Sequence, residues 1–347
     1  MLTDFSLKTT NGKDFRILQL TDMQVIDAAQ KRYPERLNKW ADSAWATDKV
    51  EECCYSEIRK TVAKAKPDYI FITGDVIYGS FDDAGTSLDA FIDFMDSLGI
   101  PWSIVYGNHD NESRIGVIEQ SRRFANGRNS LFKTGNVSGH SNYTVGIYEG
   151  DRLVRVFYML DSNWCCGSDD PIIKNTIGFQ PDQIEWYRNT AREISEKCGR
   201  KIPSSFCCHI PTKDVLDAEY EAGYRKFADK GKNPSISIGY SMPNAKYTVP
   251  AVTEGDWGCD CQDCTYGGLT CRMEDDFLSL GTDSEFAGHV HNMNYCIHKN
   301  GIKYVLGIKC GTYDFHLKGQ LGGTLINIPA DCREKIEVSP VYNEIDI

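Results

Sequence analysis

Five short apolar runs in this chain each end on a side chain that can bind a metal ion or move a proton. Ile17-Leu18-Gln19-Leu20-Thr21 leads into Asp22, and Tyr69-Ile70-Phe71-Ile72-Thr73-Gly74 leads into Asp75. Trp102-Ser103-Ile104-Val105-Tyr106-Gly107 leads into Asn108-His109-Asp110. Ser205-Phe206-Cys207-Cys208 leads into His209, and Phe286-Ala287-Gly288 into His289-Val290-His291. Carboxylates, a neutral amide oxygen and imidazoles together make a donor set suited to transition-metal cations. Asp75 follows a glycine, so the chain can turn sharply there, and its two oxygens can bridge two cations. His109 need not be a ligand. A protonated imidazole beside Asn108 would stabilise an anionic oxygen or donate a proton to a leaving group. A hydrolytic metal centre is the simplest chemistry that uses the whole set.

Such a centre needs elements that bring distant residues to one point. Apolar runs of this length, bounded by turn residues, read as buried strands. In layered α/β folds the ends of strands are where loops gather ligands. Leu88, Phe91, Ile92, Met95 and Leu98 follow the 3.6-residue period, so residues 86–98 are expected as a helix that Gly99 ends. Ile184, Tyr187, Ala191, Ile194 and Cys198 repeat the pattern up to Gly199, and Glu51 to Ala65 forms a third helix before Pro67. Leu153 to Leu160 reads as a further strand, with Asp161 organising a turn alongside Ser162 and Asn163. Residues 27–48 and 212–275 lack periodicity. The second stretch is too long for an ordinary connection and is expected as a functional loop or cap insertion in a single domain, 1–347. Lys31, Arg32, Arg36 and Lys39 in the first stretch read as a solvated charged loop.

Composition narrows the classes. With 347 residues the chain can bury a large core, and 41% apolar with 25% charged residues is the balance of a globular protein. No apolar stretch approaches the roughly 20 residues of a membrane span. A net charge of −11 disfavours nucleic acid as a partner, although bound cations can reverse the field locally for a small phosphorylated substrate. Met1 to Ser6 lacks the pattern of a secretory signal, so the expectation is a cytoplasmic protein with most of its 14 cysteines reduced. Cys259, Cys261, Cys264 and Cys271 are clustered among glycines and aspartates, and read either as a structural zinc or disulfide staple or as free loop thiols. There is no glycine-rich phosphate loop, which disfavours kinase-type transfer.

Gly74-Asp75, Gly107-Asn108-His109-Asp110, His209 and Gly288-His289-Val290-His291, in that order, resemble the calcineurin-like metallophosphoesterase superfamily. The similarity runs from about Phe15 to Ile328 and includes Asn142-Tyr143, Leu160-Asp161-Ser162, the helix start at Gln183 to Trp186, and Gly311-Thr312. It looks closest to the purple-acid-phosphatase-related branch. The resemblance implies an α/β fold: a four-layer α-β-β-α sandwich with two mixed sheets and a binuclear metal site at the strand ends. The superfamily's first motif is usually Asp-x-His, whereas here it reads Asp22-Met23-Gln24. Gly74-Asp75-Val76-Ile77-Tyr78 is similar to the purple acid phosphatase motif, in which a tyrosine is a phenolate ligand and the first histidine is not needed. The resemblance therefore implies Tyr78 in place of that histidine, with Gln24 as the alternative ligand through its amide oxygen.

Carried across motif by motif, Asp22, Asp75, Tyr78 and His291 would hold one metal. Asp75, Asn108, His209 and His289 would hold the other. A phenolate favours Fe(III), paired with a divalent iron, zinc or manganese. Asn108 and His109 would contact substrate, His109 would assist the leaving group, and Asp110 would orient its ring. Four of the seven histidines fall in these motifs. His140, His298 and His316 lie outside them; His140 reads as a surface-loop residue, with substrate contact as the other reading. The implied activity is a metal-dependent phosphoesterase that hydrolyses a phosphomonoester or small phosphodiester through metal-activated water. Alternatives are a nuclease or cyclic-nucleotide phosphodiesterase, or a non-catalytic metal-binding scaffold that kept the fold.

Overall fold

Two mixed β-sheets lie face to face, and their strand ends converge. The computed structural model of the protein describes residues 2–26, 50–82, 84–163, 176–222, 241–242, 247–248, 257–260, 271–291, 293–312, 316–317 and 320–343. The smaller sheet has β2 (Phe15–Leu20), β3 (Tyr69–Thr73), β4 (Trp102–Val105), β15 (Gly322–Ile328) and β16 (Glu337–Tyr342), in the order β16-β15-β2-β3-β4. Its β2, β3 and β4 are parallel, and β15 runs against β2.

The larger sheet runs β1-β5-β6-β7-β11-β13-β12-β10-β9. Its strands are β1 (Phe5–Lys8), β5 (Tyr143–Glu149), β6 (Arg152–Met159), β7 (Ser204–Cys207), β9 (Tyr247–Thr248), β10 (Trp257–Asp260), β11 (Thr282–Ala287), β12 (Met293–Lys299) and β13 (Ile302–Leu306). Here β6, β7, β11 and β13 are parallel, while β5 runs against β6 and β12 runs against β13. A short pair, β8 (Ser241–Met242) with β14 (His316–Leu317), stands apart.

The central strands are apolar on both faces because both are covered. Ile70, Phe71 and Ile72 of β3 have no exposed surface, as expected for parallel strands inside a layered fold. Phe71 meets Phe157 of β6 at 5.6 Å and Phe286 of β11 at 5.5 Å between ring centroids, which locks the two sheets together. Helix α1 (Val50–Ala65) packs against β15 and β2, and α2 (Thr86–Ser97) sends Leu88, Phe91 and Met95 into the same core; α3 (Gly116–Asn126) follows it.

A second core forms on the outer face of the large sheet. It takes Tyr187, Ala191 and Ile194 from α4 (Pro181–Cys198), Val215 and Ala218 from α5 (Lys213–Ala222), and Phe277 from α6 (Glu274–Leu280). The start of α4 is fixed by a capping box between Gln180 and Gln183 with Pro181 in the first turn, and its end by left-handed Gly199. The result is helix, sheet, sheet, helix.

The three helices expected from periodicity are present, with α2 one residue shorter than read and α4 starting at Pro181, two residues ahead of Gln183. Helix α5 and strands β8, β9 and β10 lie in the aperiodic 212–275 stretch, where β9 and β10 extend the edge of the large sheet. Lys31, Arg32, Arg36 and Lys39 lie outside the described residues, as do Cys261 and Cys264; Cys271 is a free thiol. Among the described residues, no helix is long and apolar enough to cross a membrane.

Candidate metal centre

The five strand ends meet between the two sheets. At the end of β2, Asp22 takes φ +53° and donates its N–H to Gly74 O at 3.1 Å. Its Oδ2 accepts from Thr21 Oγ1 at 2.7 Å and from the His289 N–H at 3.0 Å. Its Oδ1 faces His291 Nε2 at 3.2 Å. At the end of β3, Gly74 and Asp75 are both left-handed, at φ +83° and +52°. A Cβ on Gly74 would sit 2.7 Å from both Gly107 N and His209 Nδ1, so only glycine lets the β3, β4 and β7 ends close together.

Asp75 then stands at the centre. Its Oδ1 accepts from the His109 N–H at 2.9 Å, and its Oδ2 lies 3.3 Å from His209 Nε2. Asn108 Oδ1 is 3.1 Å from the same nitrogen. His209 Nδ1 lies 2.7 Å from Thr73 O. A carbonyl only accepts, so Nδ1 carries a proton and Nε2 is the atom turned toward Asp75 and Asn108. A backbone partner that fixes the other ring nitrogen is the usual support for a metal-ligating histidine. The His209 and His289 rings meet edge to face at 5.1 Å.

Ligand atoms of Asp22, Asp75 and His209 all lie within 4.8 Å of one another, and all three residues are buried. Burial would raise the Asp22 pKa, but the hydrogen bond and charge of His291 outweigh it and hold the carboxyl at about 2. Asp75 is likewise opposed by burial, yet the charges of His209 and His109 hold it far below the usual carboxylate range. Burial would lower His209, but Asp75 lifts it to about 9. Burial and the neighbouring His209 push His289 down to about 4. Two buried carboxylates thus call for positive charge at this spot, which protonated histidines or a cation can supply. The donor set and its charge fit a cation, which would displace those protons.

His109 lies over Tyr78, with ring centroids 4.3 Å apart and planes at 25°. One sequence expectation is corrected here. Asp110 does not orient the His109 ring, because its two oxygens accept from Ile77 N at 3.0 Å and Gly107 N at 2.8 Å, clamping the β3 and β4 loops together. Burial first, then the Asp75 charge, raise its pKa to about 7. The carboxylate that faces the ring is Glu112, with Oε2 3.0 Å from His109 Nδ1. Glu112 lies three residues on, in a 3-10 turn over Asp110–Glu112, and its i, i+3 spacing from His109 is the signal that could have found it. Gln24 is also corrected as an oxygen ligand, because its Oε1 accepts from Lys309 Nζ at 2.9 Å. His140 sits half-buried in a loop, its N–H donating to Asp161 Oδ2 at 2.7 Å, and Asp161 also accepts from Asn163 N, as a turn organiser should.

The family model of calcineurin-like phosphoesterases matches residues 15–234, the span that carries four of the five strand ends. The chain belongs to this family. Its relatives are purple-acid-phosphatase-like. "Probable inactive purple acid phosphatase 29" of Arabidopsis thaliana is 23% identical over 335 residues, covering 90% of this chain and 75% of that protein. "Phosphatase DCR2" of Saccharomyces cerevisiae is 24% identical over 309 residues, covering 84% of this chain but only 46% of its own length. Among solved structures, a dimetal phosphatase from Danio rerio aligns over 94% of this chain and 98% of its own, at 11% identity and a TM-score of 0.45. A purple acid phosphatase from yellow lupin aligns over 91% of this chain and 49% of its own, at 13% identity and a TM-score of 0.44.

Proposed function

We propose that this member of the family is a metal-dependent phosphoesterase acting on a small phosphomonoester or phosphodiester. The observation that carries the reading is the convergence of Asp22, Asp75, Asn108, His209, His289 and His291 from five separate strand ends. Asp22, Asp75 and His291 would hold one cation, with Tyr78 as a phenolate ligand if that ion is Fe(III). Asp75, Asn108, His209 and His289 would hold the other. When bound, the two ions supply Lewis acidity toward a phosphoryl oxygen and lower the pKa of water.

The protein's own groups do the rest. Thr73 O fixes the His209 ring, and Asp110 fixes the loops that carry Asp75 and Asn108. His109 is held by its backbone bond to Asp75, by Tyr78 across its face and by Glu112 at Nδ1. With Glu112 at Nδ1, Nε2 is the nitrogen that would hand a proton to the departing alcohol. A proton relay of this kind contributes about 10²–10⁴-fold.

A second reading, a metal-binding scaffold without turnover, is favoured by one observation: Gln24 stands where a ligand is expected and gives its oxygen to Lys309. Turnover of aryl phosphate mono- and diesters, measured with manganese, zinc and iron at known metal content, separates the two. Hydrolysis that falls at least tenfold in His109→Ala supports the enzyme, and full metal occupancy without hydrolysis supports the scaffold. Iron-loaded protein reports on Tyr78 separately. A visible phenolate band that disappears in Tyr78→Phe supports ligation, and iron(III) bound without such a band refutes it.

A further inference from the structure

Position 24 holds a glutamine where the superfamily's usual first motif has a histidine, and the geometry around it is specific. Gln24 is fully buried at φ +47°, its N–H donating to Asp75 O at 2.8 Å. Lys309 follows β13, is bridged to Thr21, and is itself 2% exposed. Its Nζ donates to Asp22 O at 2.7 Å and to Gln24 Oε1 at 2.9 Å. A lysine nitrogen has only protons to offer oxygen, so the amide orientation is fixed: the oxygen faces Lys309. The Gln24 Nε2 group therefore turns to His291 Nε2, at 3.4 Å. An amide nitrogen bearing two protons cannot ligate a cation. Its protons also face the His291 nitrogen that would ligate one.

We propose that Lys309 keeps position 24 out of metal coordination and so makes the two cation subsites unequal. The Asp75–Asn108–His209–His289 subsite fills first, and the Asp22–His291 subsite fills weakly. The first has an anchored imidazole, an amide oxygen and a carboxylate already aimed at one point. The second shares the Asp75 carboxylate and would gain Tyr78 only for Fe(III); for a divalent ion its own ligands are His291, which Gln24 also contacts, and Asp22, whose Oδ2 is taken by Thr21 and His289. Lys309 is a positioning residue, acting on the cation through Gln24 and the Asp22 turn. The proposal rests on the reading of this site as a metal centre.

The test is titration of the metal-free full chain with Mn²⁺, an ion that loop thiolates bind poorly, read by calorimetry and by the electron paramagnetic resonance of free Mn²⁺. Wild type should show two steps separated by at least about tenfold, the scale on which partners of metal ligands move affinity. Lys309→Met frees the amide oxygen to turn and should tighten the weak step by about the same factor, while Lys309→Arg keeps the gap. Gln24→Met leaves Lys309 in place and should still bind two ions. Two steps of equal affinity in wild type, or loss of one ion in Gln24→Met, overturns the proposal even if Lys309→Met fails to fold. An unchanged weak step in folded Lys309→Met overturns the part assigned to Lys309. Wild type that binds no manganese overturns the metal-centre reading as well, whereas equal steps overturn this proposal alone.

Discussion

Glu285 gives the sharpest test of the physical reasoning, because its carboxyl is buried and takes no part in the cation-binding set. It lies in β11 opposite Phe206 of β7 and has no exposed surface. Its Oε1 accepts from Thr212 N at 2.8 Å, and its Oε2 accepts from Thr212 Oγ1 at 2.7 Å, which ties down the turn after His209. Burial pushes its pKa from the ordinary 4.5 to about 7, the Thr212 bonds resist, and Asp214 adds to the rise. The folded chain therefore holds this proton more tightly than the unfolded chain. Between about pH 4.5 and 7 the folded state binds more protons, so stability falls as pH rises through that window and then levels off. A shift of this size corresponds to about 3 kcal/mol at 1.36 kcal/mol per unit. Glu285→Gln keeps the shape and the acceptor for the Thr212 N–H, and removes the charge at every pH. In urea unfolding, the variant should match wild type near pH 4 and exceed it by about 3 kcal/mol at pH 8. Comparing the two proteins at each pH cancels the titration of every other group. A difference that does not change with pH, or a variant less stable than wild type at pH 8, would refute the account of Glu285 as a carboxyl kept neutral by burial.

Two further substitutions read the site directly. Glu112→Gln removes the charge facing His109 Nδ1 and should lower kcat by about tenfold with little change in KM, since it acts on the proton donor and touches no metal ligand. The loss should be larger for an alkyl ester than for a p-nitrophenyl ester, whose leaving group needs little protonation; equal losses would remove the acid role. Gly107→Ala places a Cβ against the Asp75 carboxylate and its backbone N. The variant should remain folded by circular dichroism and bind less metal by elemental analysis, and normal metal content would show that the close approach is not required.

Much of the site was legible because two sequence signals coincide at each strand end. Ile70, Phe71 and Ile72 announce a strand buried on both faces, and Gly74-Asp75 announces the sharp turn that leaves a carboxylate at its tip. The same pairing of apolar run and turn located Asn108, His209 and His289. The residues that escaped have partners set only by tertiary placement. Lys309 looks like an ordinary strand-end lysine until β13 is laid beside the β2 end and its Nζ reaches Asp22 and Gln24. Asp110 was misassigned for a related reason: adjacency to His109 suggested a partner for the ring, but a 3-10 turn points successive side chains apart and brings Glu112 round instead. Strand β1 alternates apolar and polar residues over only four positions, too short a run to announce a strand by itself, and its partner β5 lies far along the chain.

The backbone explains why the cluster is built before any cation arrives. Of the seven described non-glycine residues with positive φ, four are Asp22, Gln24, Asp75 and His289. Each such residue is unfavourable by about 1–3 kcal/mol and persists only where surrounding structure over-determines it. The bonds that do so run between strand ends: Asp22 N to Gly74 O, Gln24 N to Asp75 O, Gly288 N to His209 O and Gly311 N to Asp22 O. None involves a metal. The left-handed turns are thus held by the two sheets, and the aromatic contacts of Phe71 with Phe157 and Phe286 hold the sheets to each other. Metal removal should therefore leave far-ultraviolet circular dichroism and cooperative thermal unfolding in place, with a lower midpoint, because a cation that binds only the folded state adds stability without creating the fold. A chelated chain that loses its secondary structure would place the organising force in the cation and overturn this order of events.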